Sequence, residues 1–153
     1  MNLHAQAFSI FLVLAPAALA QDAAPTPAPA PELPQDVSAR SLALEIAGAF
    51  TNDGYRIRDG FWPGLAEPGR PQFLEVNLFS GNEYWFSAAA TAPARKVGIS
   101  IFSEDGKPVE YLAFNDGAKA AAGFEPDFSG RYLLRFELLE GEKAPFCVVY
   151  SYK

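Results

Sequence analysis

Histidine is almost missing from this chain. Its one copy, His4, lies at the edge of an N-terminal apolar segment, so everything after it must work without an imidazole. That removes the commonest general base and the commonest transition-metal ligand. Cysteine is as scarce: Cys147 stands alone, which excludes an intramolecular disulfide and any cysteine-built zinc site. Serine nucleophiles have no histidine to activate them, and no Ser-x-x-Lys occurs in its place. Carboxylates are the acid–base equipment left, and most fall at turns or on expected solvent faces. Asp59 is the exception. It is in phase with Tyr55, Ile57 and Phe61, which points it inward, and Arg56, Arg58 or Arg70 is then expected to pair with it, because a charge placed inside must be compensated. The expectation is a protein that is not an enzyme.

Positive charge is short too. Lysine and arginine together number 12 against 18 acidic residues, for a formal charge of −6. Nucleic acids and anionic membrane surfaces select basic patches, so neither is expected as a partner. Arg70 and the pair Arg95-Lys96 are the local concentrations of positive charge, too small to imply an acidic partner.

Long apolar runs are limited to Ala7 to Ala20, AFSIFLVLAPAALA. It falls short of the roughly 18 to 20 residues that span hydrocarbon, and it closes on Ala18-Leu19-Ala20, the small-x-small pattern that a signal peptidase accepts. Residues 1–20 therefore read as a signal peptide, although no Lys or Arg precedes the apolar run, and the protein as periplasmic or secreted, with no membrane span after cleavage. No cysteine follows the cleavage site, so lipid attachment is not expected. Residues 21–35, QDAAPTPAPAPELPQ, form an Ala/Pro-rich linker: each proline removes a donor and bars its predecessor from the helical region, leaving an extended tether.

Residues 36–153 are the right size for one domain. Leu42, Ile46, Ala49 and Phe50 at helical spacing behind Ser38 predict a short amphipathic helix over Val37 to Phe50, stopped by Asn52-Asp53-Gly54. Afterwards the period is two. Tyr55, Ile57, Asp59, Phe61; Leu74, Val76, Leu78; Tyr84, Phe86, Ala88; Val97, Ile99, Ile101; Val109, Tyr111, Ala113; Tyr132, Leu134, Phe136, Leu138; and Phe146, Val148, Tyr150, Tyr152 each share one face of a strand. Glu104-Asp105-Gly106-Lys107 is a hairpin signal joining the fourth and fifth of these runs. The segment Pro63 to Pro71 and the Ala-rich stretch after Asn115-Asp116-Gly117 read as loops. The fold class is all-β: an antiparallel sandwich, jelly-roll or Ig-like, of about seven to eight strands with one N-terminal helix.

From Leu78 onward the residues carry a resemblance. Leu78, Gly81, Asn82, Tyr84 and Phe86, a strand ending at Asp105-Gly106, then Phe124, Pro126, Ser129, Gly130 and Tyr132 before a closing aromatic strand, together resemble the bacterial pre-peptidase C-terminal domain. The resemblance covers residues 78–153 and implies a small β-sandwich of the kind appended to exported enzymes. The residues themselves read as structural: Gly81-Asn82 and Ser129-Gly130 as tight turns, and Tyr84, Phe86 and Tyr132 as filling between two sheets.

Two kinds of binding site remain. Trp62 and Trp85 are candidate ligand-binding residues; Trp85 is out of phase with Tyr84 and Phe86, so it either offers an exposed ring to a sugar or lies under the helix. Asp105, Asp116 and Asp127 sit in loops where oxygen ligands could converge on calcium, a hard cation that needs no His or Cys, though these sequences are above all turn formers. Cys147 is inert if it faces inward beside Phe146 and Val148, and able to bridge two chains if it faces outward. The functional expectation is an exported binding or structural module for a protein or polysaccharide partner, with a carbohydrate- or calcium-binding module and an inhibitor of a secreted enzyme as alternatives.

Overall fold

Residues 37–153 of the computed structural model are described. The expected signal peptide (residues 1–20), the expected linker (residues 21–35) and Asp36 lie outside them. One helix, α1 (Val37–Ala49), precedes nine strands: β1 (Arg56–Ile57), β2 (Trp62–Ala66), β3 (Gln72–Leu78), β4 (Tyr84–Ala90), β5 (Ala94–Ser103), β6 (Leu112–Asp116), β7 (Lys119–Phe124), β8 (Gly130–Gly141) and β9 (Ala144–Tyr152). The larger sheet runs β1-β9-β4-β7-β6 with β2 also on β9; the smaller runs β3-β8-β5. All pairings are antiparallel. The domain is an all-β sandwich with a helix on one outer face. Among the described residues no helix is long and apolar enough to cross a membrane.

The core forms where the alternating strands put it. Phe86 and Val148 of the large sheet meet Val97, Ile101, Leu134 and Phe136 of the small one, all fully buried. The rings of Phe136 and Phe146 stack across the gap, 4.2 Å between centroids. Each such side chain withdrawn from water contributes about 1.5–3 kcal/mol. The polar atoms of the motif residues close the loops: Phe79 N and Asn82 Nδ2 donate to Tyr84 Oη, Ser80 N donates to Ser129 Oγ, and Tyr132 Oη donates to Phe128 O. Gly81 takes the left-handed conformation, but Asn82 and Gly130 do not; Gly130 opens β8 in register with Leu78.

Four local expectations change. Pro63 to Ala66 is not loop: Trp62–Ala66 forms β2 along the edge of β9, where a proline costs no ladder bond and Gly64 leaves room for the Phe146 ring. The run from Tyr55 to Phe61 is not one strand. Ile57 pairs with Ser151 and Trp62 with Val148, so Arg58, Asp59, Gly60 and Phe61 stand opposite only Val149 and Tyr150 and must bulge. The bulge breaks the alternation, and Asp59 is exposed rather than buried in an ion pair. The Asp105-Gly106 turn closes, with Ser103 N donating to Lys107 O at 2.9 Å, yet no hairpin follows. Pro108 brings only an isolated bridge to Phe102, and the chain crosses to the large sheet, where β6 pairs with β7 instead. The Ala-rich loop is β7 itself.

Both faces of β4, β7 and β9 are covered, which explains the alanines. Ala120 and Ala122 face the core while Ala121 faces α1. The helix docks through Ala39, Ala43, Ile46 and Ala47 onto Ala89, Ala121, Cys147 and Val149. Its buried face is thus an alanine stripe at i, i+4, i+8, rotated from the expected one; Ala49 is exposed and Leu42 half-buried. Ser38 lies within the helix rather than before it. A turn of 3-10 helix (Thr51–Asp53) follows, and Gly54, at φ 90°, ends it in a conformation costly for any residue with a Cβ. Ser87 and Ser151 share this interface, fully buried, with no hydrogen-bond partner for either Oγ among the described residues.

Cys147 faces away from the sandwich core yet is completely buried, because α1 lies over it. Burial pushes its thiol up to about 11, against a weaker opposing effect of Arg40. In the folded protein Cys147 is expected to resist a thiol reagent that labels it rapidly in denaturant. Ala43→Leu overpacks the interface, so urea unfolding should report a loss of about 1–3 kcal/mol and native labelling should accelerate. Fast labelling of the wild type would show that the helix does not hold this position.

Candidate functional site

A cleft of about 410 Å³ opens at the end of the large sheet nearest the start of β4. Its position follows from register. Trp85 of β4 pairs with Gly123 of β7, and Gly123 with Leu112 of β6, so one cross-strand row carries a large ring, no side chain and an exposed leucine. The missing side chain is what admits the indole. A Cβ on Gly123 would lie 2.7 Å from Trp85 Cζ2, closer than such atoms approach. Phe50, just past α1, stacks on Trp85 with centroids 4.2 Å apart and planes 9° from parallel. Trp85 is therefore a fixed, half-buried wall rather than an exposed platform.

Tyr55, Tyr84, Tyr111 and Phe124 supply the remaining rings. Three carboxylates stand among them: Glu83, Glu110 and Glu125. Glu83 is compensated. Tyr55 Oη donates to its Oε2 at 2.6 Å, and Lys153 Nζ lies 3.1 Å from the same oxygen and 4.6 Å from the centre of the Tyr55 ring. The tyrosine hydrogen bond, then the lysine, hold the Glu83 carboxyl below its ordinary range; burial, then Glu83, push the Tyr55 hydroxyl up. Glu110, on the segment crossing between sheets, and Glu125, just after β7, are exposed, and among the described residues neither has an ion-pair partner.

The two tryptophans do not share this site. Trp62 lies on the edge strand, half-buried against the sandwich core, with its ring 5.4 Å from that of Tyr150. Nor do the three aspartates converge: among the described residues no group of three or more His, Cys, Asp or Glu side chains could hold a metal ion. Asp105 is engaged within its own turn, 2.5 Å from Lys107 Nζ and accepting from Ser103 Oγ at 2.6 Å. Those hydrogen bonds, Lys107 first, lower its carboxyl to about 2. Asp116 ends β6 and Asp127 is exposed in the β7–β8 loop. The sequence reading missed Tyr55, Tyr111, Phe124 and the glutamates as a set. The pairing of Trp85 with Gly123 was the signal that could have found them, and it was hidden because β7 reads as loop. Searches of protein-family models and of curated proteins find no match to the chain.

Two outcomes check this geometry. Gly123→Ala must displace the indole from Phe50, so in a Trp62→Phe background, where Trp85 is the sole tryptophan, emission should shift to the red at a stability cost of about 1–3 kcal/mol; unchanged emission would contradict the stacking. Asp105 has a lowered carboxyl in the fold, so its contribution is complete above the unfolded aspartate value of about 3.9 and disappears as pH falls towards 2. Melting curves of wild type and Asp105→Asn should therefore differ at pH 7 and converge near pH 2.

Proposed function

We propose that this is a small exported β-sandwich without catalytic activity that works as a binding module in the periplasm or outside the cell, and that the Trp85 cleft is its ligand site. The observation carrying this reading is the cleft itself, where rings and carboxylates converge on one recess and the indole is held by Phe50 and by the space that Gly123 leaves. Aromatic walls with a few polar groups are the usual composition of a ligand pocket. Two facts support the absence of catalysis: residues 37–153 contain no histidine, and the one thiol is buried and hard to ionise. Export rests on the apolar run and small-x-small pattern of residues 1–20.

A carbohydrate ligand is the second reading, favoured by the ring of Trp85 at the cleft wall. Phe50 already occupies one face of that indole, which leaves a single face for stacking on a sugar.

The test titrates tryptophan emission of the Trp62→Phe variant with neutral oligosaccharides and with small organic amines. At least one class should give a saturable change, and calorimetry with the same compound should show the heat of binding abolished by Trp85→Ala. No response to any class, or binding that survives Trp85→Ala, would remove the cleft as the site.

A further inference from the structure

Taking the cleft as the ligand site, we infer that the group it recognises is an organic cation: an ammonium on a short apolar stem. Three observations converge. First, the lining offers acceptors and π faces but few donors. Among the described residues it contains Glu83, Glu110 and Glu125 and no Lys, Arg, Asn, Gln, Ser or Thr; the Tyr55 hydroxyl donates to Glu83, and the Tyr84 hydroxyl accepts from Phe79 N and Asn82 Nδ2. A neutral sugar, which needs donors and acceptors in comparable number, is poorly served, and an anion is repelled. Second, the charge at the rim is uncompensated. Glu83 has Lys153, whereas Glu110 and Glu125 have no cation among the described residues. Third, the same wall already performs this recognition on a group of its own chain. Lys153 Nζ sits over the Tyr55 ring and against the Glu83 carboxylate, an ammonium held between an aromatic face and an anion. The open side of the cleft repeats those elements, with Trp85 and Tyr111 as rings and Glu110 and Glu125 as anions, and among the described residues has nothing in place of the lysine.

The recess is larger than an ammonium head alone, so part of the stem enters with it. Leu112 and Phe124 provide apolar contact for that stem. The chain's net charge of −6 adds long-range attraction for such a ligand. The ammonium could be carried by a lysine side chain of a protein partner or by a free amine, and the chemistry at the cleft is the same for both.

The test uses the Trp62→Phe variant and four probes at constant ionic strength: choline, Nα-acetyl-lysine methylamide, 3,3-dimethylbutan-1-ol, which is the neutral isostere of choline, and a neutral oligosaccharide. Both cations should change Trp85 emission saturably, and the isostere should bind at least about tenfold more weakly. Glu110→Gln with Glu125→Gln should weaken cation binding about tenfold while leaving the melting temperature unchanged, since both residues are exposed. Tighter binding of the lysine derivative would identify a polypeptide as the source, and tighter binding of choline a free amine; either supports the inference. Equal binding of cation and isostere, indifference to the double substitution, or binding of a neutral oligosaccharide in place of the cations would overturn it while leaving the cleft a ligand site. If no probe of any class binds, both readings fall together.

Discussion

The contact between α1 and the outer face of the large sheet is the constraint on which the rest depends. A sheet buried on both faces cannot alternate apolar with polar, and here the covering helix approaches through alanines onto alanines. That close approach explains three otherwise unrelated facts: β7 is KAAAGF, Cys147 is buried though it points away from the sandwich core, and Phe50 arrives beside Trp85. Phe50 and Gly123 between them fix the indole, and the indole is one wall of the cleft. The site is thus a product of helix docking rather than of any loop motif.

The interface also carries a cost. Ser87 and Ser151 are buried with hydroxyls unpaired among the described residues, each worth about 1–3 kcal/mol of lost solvation. Small side chains are required there, and serine is as small as the space demands. The cost is offset by the apolar burial around it, since Ala39, Ala43, Ala47, Ala89 and Ala121 are almost wholly withdrawn from water.

Outside the cleft several carboxylates meet cations: Glu67 lies against Arg70 and Lys143, and Arg131 bridges Glu75 and Glu104. Such exposed pairs contribute little to stability, about 0–1 kcal/mol each. Around the Trp85 cleft the compensation stops at Glu83. Anionic groups beside aromatic faces are the composition that holds a cation, and the proposed recognition rests on it.

The strands whose inner faces carry Val, Ile, Leu or Phe were legible as a sequence: β3, β5 and β8 appear at their expected alternation because the inner face of each is apolar and the outer face largely polar, and β9 because Phe146, Val148, Tyr150 and Tyr152 share its core face although its other face is buried too. The helix was legible in position but not in its buried face, because alanine spacing carries little hydrophobic contrast. β7 and β2 were not legible, since alanine, glycine and proline have low strand propensity and only pairing with an established neighbour makes them strands. Asp59 was misread for a related reason: a bulge is set by register against β9, and register is not local. By itself the sequence determined what local chemistry can determine: the lack of any histidine after His4 and of an intramolecular disulfide, an all-β sandwich with one helix, the acidic balance and the tight turns. Tertiary structure alone decided which strands pair after Pro108, that Trp85 rather than Trp62 lines a cleft, and that Glu83, Glu110 and Glu125 stand together there. Those are relations between residues distant along the chain, and only the packing of both faces of the large sheet brings them into contact.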